Sequence, residues 1–197
     1  RMAETPKWRR RKEERPADIV QAALDVFSEK GFAAAKMDEI ASRAGVSKGA
    51  LYLYFPTKEE LFGAVVREAI LPQMANVIEL ASSYNGPVVP LLRAMAGRLG
   101  GPIATTPVGR VAKMVIGESG NFPELARIWH DSVIDIGLGA LTKVIEGAQA
   151  RGEIRAGDAR TFAVSIISPL LVSVLFQETF VPVGAKAFDI PRLIDQH

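Results

Sequence analysis

Cysteine is absent from the 197 residues, and histidine occurs only as His130 and His197. Without thiols there is no disulfide scaffold, no cysteine zinc site and no thiol nucleophile, and the composition suits a reducing cytoplasm. Two histidines leave little material for histidine-rich metal sites or histidine-based triads. Gly97, Gly100 and Gly101 have the wrong spacing for a dinucleotide-binding fingerprint, and no Walker motif is present. The chain is therefore expected to be no enzyme and to hold neither metal nor cofactor. An apolar leader is also missing, so secretion is not expected. The longest charge-free stretch, Thr161 to Gln177, has 17 residues, three of them serine and one proline. It falls short of the roughly 20 apolar residues of a membrane-spanning helix. It reads as a buried helix, and no membrane is expected as a partner.

What is present is ordinary for a globular chain, 48% apolar and 23% charged. The net charge of +2 hides an asymmetry. Residues 1–15 carry seven Lys/Arg against three Glu, residues 16–60 five basic against seven acidic, and the remainder balances at twelve each. The basic excess is an N-terminal arm of Lys7, Arg9, Arg10, Arg11, Lys12 and Arg15 around Trp8. Such an arm reads either as a phosphate contact or as a solvated terminus.

Helical periodicity dominates, so the expected fold class is all-α. A first helix is expected from Pro16, with Ile19, Ala23, Val26 and Phe27 on one face and Gly31 as its terminator. A second spans about 36–44, with Met37, Ile40, Ala41 and Ala44 inward. Gly45 breaks it, and Ser47 caps a third helix to Tyr54. Two short helices joined by a glycine-containing turn form a helix-turn-helix signature. Thr57 and Glu60 form a capping box for a fourth helix to about residue 82, kinked at Pro72. Further helices are expected at 88–99, 104–118, 122–151, 158–180 and 185–195, with Gly100-Gly101-Pro102 as one break. The division is a basic arm (1–15), a three-helix unit with the helix-turn-helix (16–60) and a helical C-terminal unit (61–197).

Within Met37 to Leu61, several linked submotifs stand at fixed spacing. They are Asp38-Glu39-Ile40-Ala41, Ala44-Gly45-Val46-Ser47-Lys48-Gly49, Leu51-Tyr52, Tyr54-Phe55 and Thr57-Lys58-Glu59-Glu60-Leu61-Phe62. This segment resembles the DNA-binding domain of TetR/AcrR-family transcriptional regulators, over about residues 16–65. The departures are Lys36 and Ala35, where the family usually has Thr or Ser, and Tyr54, where many relatives have histidine. The second helix has thereby lost its usual cap. Physics gives the matching residues definable tasks. Ser47 and Lys48 sit in the first turn of a recognition helix, where a phosphate is favoured. Gly49 and Ala50 allow close approach to the groove, and Ala50 is a candidate for a thymine methyl. The resemblance makes Lys48, Tyr52, Tyr54 and Lys58 DNA contacts; partial core remains an alternative for Tyr52, and a solvated lysine for Lys36. Leu51 and Phe55 are core.

The resemblance further implies a homodimer on an operator and a small apolar ligand that releases a repressor. The alternatives are an activator and a helical adaptor that binds no DNA. By the same resemblance, 16–60 is the DNA-binding domain and 61–197 the ligand-binding and dimerisation domain. The 122–151 helix, whose Gly137, Gly139 and Gly147 let helices approach closely, and the 158–180 helix are candidates for a four-helix dimer interface; monomer core is the alternative. Met95, Met114, Trp129, Phe162 and Phe176, with Glu118, His130 and Ser165, are the candidate pocket residues; plain core is the alternative for most of them.

Overall fold

A computed structural model describes the backbone of residues 7–197 and the side chains of residues 16–101 and 105–197. The basic side chains of the N-terminal arm thus lie outside the described residues. The described chain is all helical: α1 (Lys7–Lys30), α2 (Met37–Arg43), α3 (Lys48–Tyr54), α4 (Lys58–Val65), α5 (Leu71–Ser83), α6 (Val88–Thr105), α7 (Val108–Glu118), α8 (Pro123–Trp129), α9 (Asp135–Ala150), α10 (Ala159–Phe180) and α11 (Ile190–Gln196).

Several boundaries differ from expectation, each for a local reason. Pro16 does not start α1 but lies inside it. Gly100, Gly101 and Pro102 do not break α6, which continues to Thr105. Gly100 instead clears space for α11, since a Cβ there would stand 2.7 Å from Ile194 Cδ1. Pro72 lacks the N–H that a regular turn needs, and a widened π turn, Val66–Ile70, absorbs the defect just before it. Helices α4 and α5 therefore form one rod from Lys58 to Ser83. A second π turn, His130–Ile134, joins α8 to α9. The rod Lys58–Ser83 and the run Ala159–Val183 are long and apolar enough to cross a membrane by length and composition. The rod packs on α1 and α9, and α10 packs along α9.

Two apolar cores organise the bundle. The first takes the expected face of α1, Ile19, Ala23, Val26 and Phe27, all at most 1% exposed. It continues through Ile40, Leu51, Leu61 and Phe62 into Val111 and Met114 of α7 and Leu125 and Trp129 of α8. This core crosses residue 60, so the helix-turn-helix shares its interior with the C-terminal helices. The second core joins Val77 of α5, Leu91 and Met95 of α6, Leu141 and Val144 of α9, and Ala163 of α10.

The turn between α1 and α2 is clasped from both sides. Phe32 and Ala33 donate their backbone N–H groups to the Glu118 carboxylate at the end of α7, at 3.0 and 2.7 Å. Lys58, the first residue of α4, donates to the carbonyls of Phe32 (2.6 Å) and Ala35 (3.0 Å). Its ammonium also lies 4.6 Å from the Phe32 ring centroid. That ring packs against Phe27, Phe62 and Phe122. Gly31 makes the clasp possible: its φ is +81°, and a Cβ there would collide with Glu118 Oε1. Gly45, between α2 and α3, also has a positive φ, +67°, but nothing lies within 4 Å of its Cβ position.

These two glycines separate backbone strain from lost contact. Gly45→Ala should cost about 1 kcal/mol, the strain of a left-handed alanine. Gly31→Ala should cost about 3 kcal/mol, because it also displaces a charge-assisted pair of hydrogen bonds. Denaturant unfolding of both variants measures the difference; equal costs would remove Glu118 from the account.

Candidate nucleic-acid interface

Helix α2 begins at Lys36, whose backbone is extended and whose side chain makes no capping bond. Asp38 and Glu39 in the first turn suit the positive helix end and take the place of a hydroxyl cap. The helix is fastened to α1 by two ion pairs, Arg43 to Glu29 at 2.7 Å and Lys30 to Glu39 at 2.8 Å, while Arg43 also pairs with Glu39 one turn away within α2 at 2.8 Å. The Arg43 hydrogen bond holds the Glu29 carboxyl below its ordinary range, and the Lys30 hydrogen bond does the same for Glu39. Gly45, with Val46 N–H bonded to the Ala41 carbonyl, then turns the chain. Ser47 Oγ accepts from Ala50 N–H at 3.1 Å and starts α3, as its sequence position implies. Thr57 Oγ1 accepts from Glu60 N–H at 3.1 Å and starts α4.

Leu51 anchors α3 in the core, with Tyr54 and Phe55 packed half-buried beside it, ring centroids 6.5 Å apart. The other side of α3 faces solvent. Ser47, Lys48, Gly49 and Tyr52 are exposed there, and Lys36 is exposed at the start of α2. Ala50 is half-buried. Lys48 Nζ lies 2.8 Å from Asp38 Oδ1, and this contact pushes the Lys48 ammonium's pKa up. An exposed pair of this kind is worth little, so a phosphate can replace the carboxylate at small cost. The face thus combines a helix N-terminus, a lysine that stays charged and Tyr52, with the half-buried Tyr54 at its edge. Lys58 stands apart from this group, because its ammonium is turned onto the α1–α2 turn.

The pocket candidates do not gather in one place. Met114 and Trp129 are buried in the first core and Met95 in the second. Glu118 is committed to the clasp. His130 is exposed and lies 2.8 Å from Asp131. Ser165 is exposed and donates to the Thr161 carbonyl. Phe162 lies under the Arg155 guanidinium at 4.6 Å, and Phe176 packs on Phe188 at 4.6 Å between centroids. Three of the five apolar members thus enter separate cores and Phe162 and Phe176 neither, because apolar side chains at helical spacing look alike whatever they face.

A cleft of about 500 Å³ lies elsewhere, between α5, α6 and α9. Its apolar wall includes Ile78, Leu91, Ile136 and Val144, and its polar edge Tyr84, Lys143 and Arg151. Gly139 and Gly147 line it, and Gly137 meets Met74 of α5. These glycines therefore serve the α5 side of α9 and not a seam with α10. Their four-residue spacing with Lys143 was the available signal, and it fits a close helix approach equally well. Two further features escaped the sequence reading: the Arg43 ion-pair network, and Leu53, an exposed leucine on α3.

Comparison with known proteins agrees with this arrangement. Residues 19–65 match the family described as bacterial regulatory proteins, tetR family, and residues 87–189 match the tetracyclin repressor-like C-terminal domain. The HTH-type transcriptional activator FasR of Mycolicibacterium smegmatis is 48% identical over 59 residues, which span 30% of this chain and 27% of that protein. A putative TetR-family regulator from Mesorhizobium loti superposes with a TM-score of 0.74 at 26% identity, covering 94% of this chain and 92% of the other. Bacillus subtilis FadR, solved in complex with stearoyl-CoA, superposes with a TM-score of 0.74 at 22% identity, over 91% and 94% of the two chains. The chain belongs to the TetR family of bacterial transcriptional regulators.

Proposed function

We propose that this regulator binds its operator as a homodimer through the exposed face of α3 and the start of α2, and that an apolar anion filling the α5–α6–α9 cleft releases it. The observation that carries the reading is the split of α3 into a core-anchored side and a solvent side with Lys48, Gly49 and Tyr52. Lys36, Ser47, Ala50 and Tyr54 flank that side; Tyr54, half-buried, contributes through its hydroxyl. We assign Lys58 to the clasp and not to DNA. Each phosphate neutralised contributes about 0.9 to the salt slope of binding. Lys48→Ala should therefore lower the slope by about 2 for a dimer and weaken all duplexes alike. An unchanged slope in binding titrations would count against the contact.

The homodimer rests on the solvent side of α10. Leu171 is 42% and Val172 61% exposed, and Val164 one face-repeat earlier is 45% exposed. Helices of two subunits packed on this surface form a four-helix seam. Sedimentation should find a wild-type dimer at micromolar concentration and a folded monomer for Leu171→Glu. A wild-type monomer would sink the seam.

The cleft has the size of a small-molecule site. Its apolar wall and its Lys143 and Arg151 edge fit a chain with an anionic head, the chemistry of the stearoyl-CoA held by Bacillus subtilis FadR. Stearoyl-CoA should release operator from the wild type, while Ala140→Trp, which fills the cleft, should bind operator normally and ignore the ligand. Release from that variant at wild-type concentrations would remove the cleft from the reading. Repression follows when the bound dimer blocks transcription; the activator FasR supports the opposite sign. A reporter assay with and without the regulator decides between them.

A further inference from the structure

Leu53 is 85% exposed, more than any other large apolar side chain among the described residues. A single exposed leucine needs no explanation on most surfaces. This one lies on α3, opposite the side anchored by Leu51. Gly49 stands one turn before it, with nothing within 4 Å of its Cβ position. Gly49 and Leu53 thus form the outermost ridge of the helix, and Lys48 and Tyr52 form the ridge beside it.

The chemistry of that ridge is unusual for a base reader. The α3 sequence, KGALYLY, holds no Arg, Asn, Gln, Asp or Glu. The arginine, amide and carboxylate side chains that read guanine, adenine or cytosine edges are therefore missing, and its one lysine, Lys48, is paired with Asp38. Lysine and tyrosine contacts to phosphate place a protein on the duplex without choosing a sequence. An apolar side chain in the major groove meets one apolar group there, the C5-methyl of thymine. Gly49, lacking a side chain, lets the helix come close, and Leu53 then reaches furthest in. Ala50 is shorter and half-buried, with its N–H held by Ser47.

We propose that Leu53 is a specificity-determining residue that seats against a thymine C5-methyl in each operator half-site. This rests on the docking of α3 proposed above.

The test uses a duplex selected by the full-length protein from a random pool, with each thymine replaced in turn by deoxyuridine. That change removes the methyl and keeps the base pair. The wild type should lose about fourfold in affinity per half-site at one position, the factor for one buried methyl group. Leu53→Ala should bind the thymine and deoxyuridine duplexes equally at that position, and Leu53→Met should keep the discrimination. An unchanged melting temperature of Leu53→Ala shows that folding is not at issue. Indifference of the wild type to every replacement overturns the proposal, as does a full thymine preference in Leu53→Ala. Binding by the wild type with no sequence preference at all overturns the docking of α3 itself, a result distinct from either.

Discussion

The six-residue turn from Gly31 to Lys36 is the point on which the two modules depend. Its amides are held by Glu118 and its carbonyls by Lys58. One carboxylate comes from the C-terminal helices, at the end of α7, and one ammonium from the start of the connecting rod. Each hydrogen bond to a charged partner stabilises by about 1.5–3 kcal/mol, and an unpartnered buried backbone group costs a similar amount. The turn therefore has one favourable position relative to both modules. Phe32, set within it, extends the constraint into the apolar interior through Phe27, Phe62 and Phe122.

A shared core makes that constraint a mechanical one. Met114 and Trp129 pack in the same interior as Ile40 and Leu51, the inward residues of the helix-turn-helix. Dense interiors shift between discrete packings and do not deform smoothly. The rod Lys58–Ser83 begins at the clasp and ends beside the α5–α6–α9 cleft, so the proposed occupant of the cleft would act on the same element that holds the turn. Its π turn before Pro72 lies between the two ends. A ligand shifts such an equilibrium only by its difference in affinity for the two arrangements.

Local signals in the sequence were the reliable ones. Gly31, Gly45, Ser47 and Thr57 perform the turn and cap functions their types dictate, because those functions need only neighbours within four residues. The α1 face was legible for the same reason. Pro16 and Gly100-Gly101-Pro102 misled because a helix-breaking residue only raises a cost, and tertiary packing offsets it: Gly100 admits Ile194 of α11. The hydrogen bonds of Lys58 and Glu118 were the least legible. Their partners lie 26 and 86 residues away, and they are backbone groups, which carry no residue-type signal. The pocket set scattered because apolar side chains at helical spacing do not state which of two cores they enter.

The recognition surface and the clasp share one economy of charge. Lys58 has the same residue type as Lys48 and stands ten positions later, yet its donors are spent on carbonyls, and Lys48 is held by a single exposed carboxylate, Asp38. The contrast follows from what each partner would lose. Three carbonyls of the turn, two of them part-buried, share the Lys58 ammonium, so releasing it costs several hydrogen bonds at once; Asp38 is solvated and can release Lys48 to a phosphate at little cost. A docking face built in this way is preassembled in position but not committed in charge. In the proposed docking, sequence choice falls to the exposed groups of α3 that make no ion pairs, Tyr52 and Leu53.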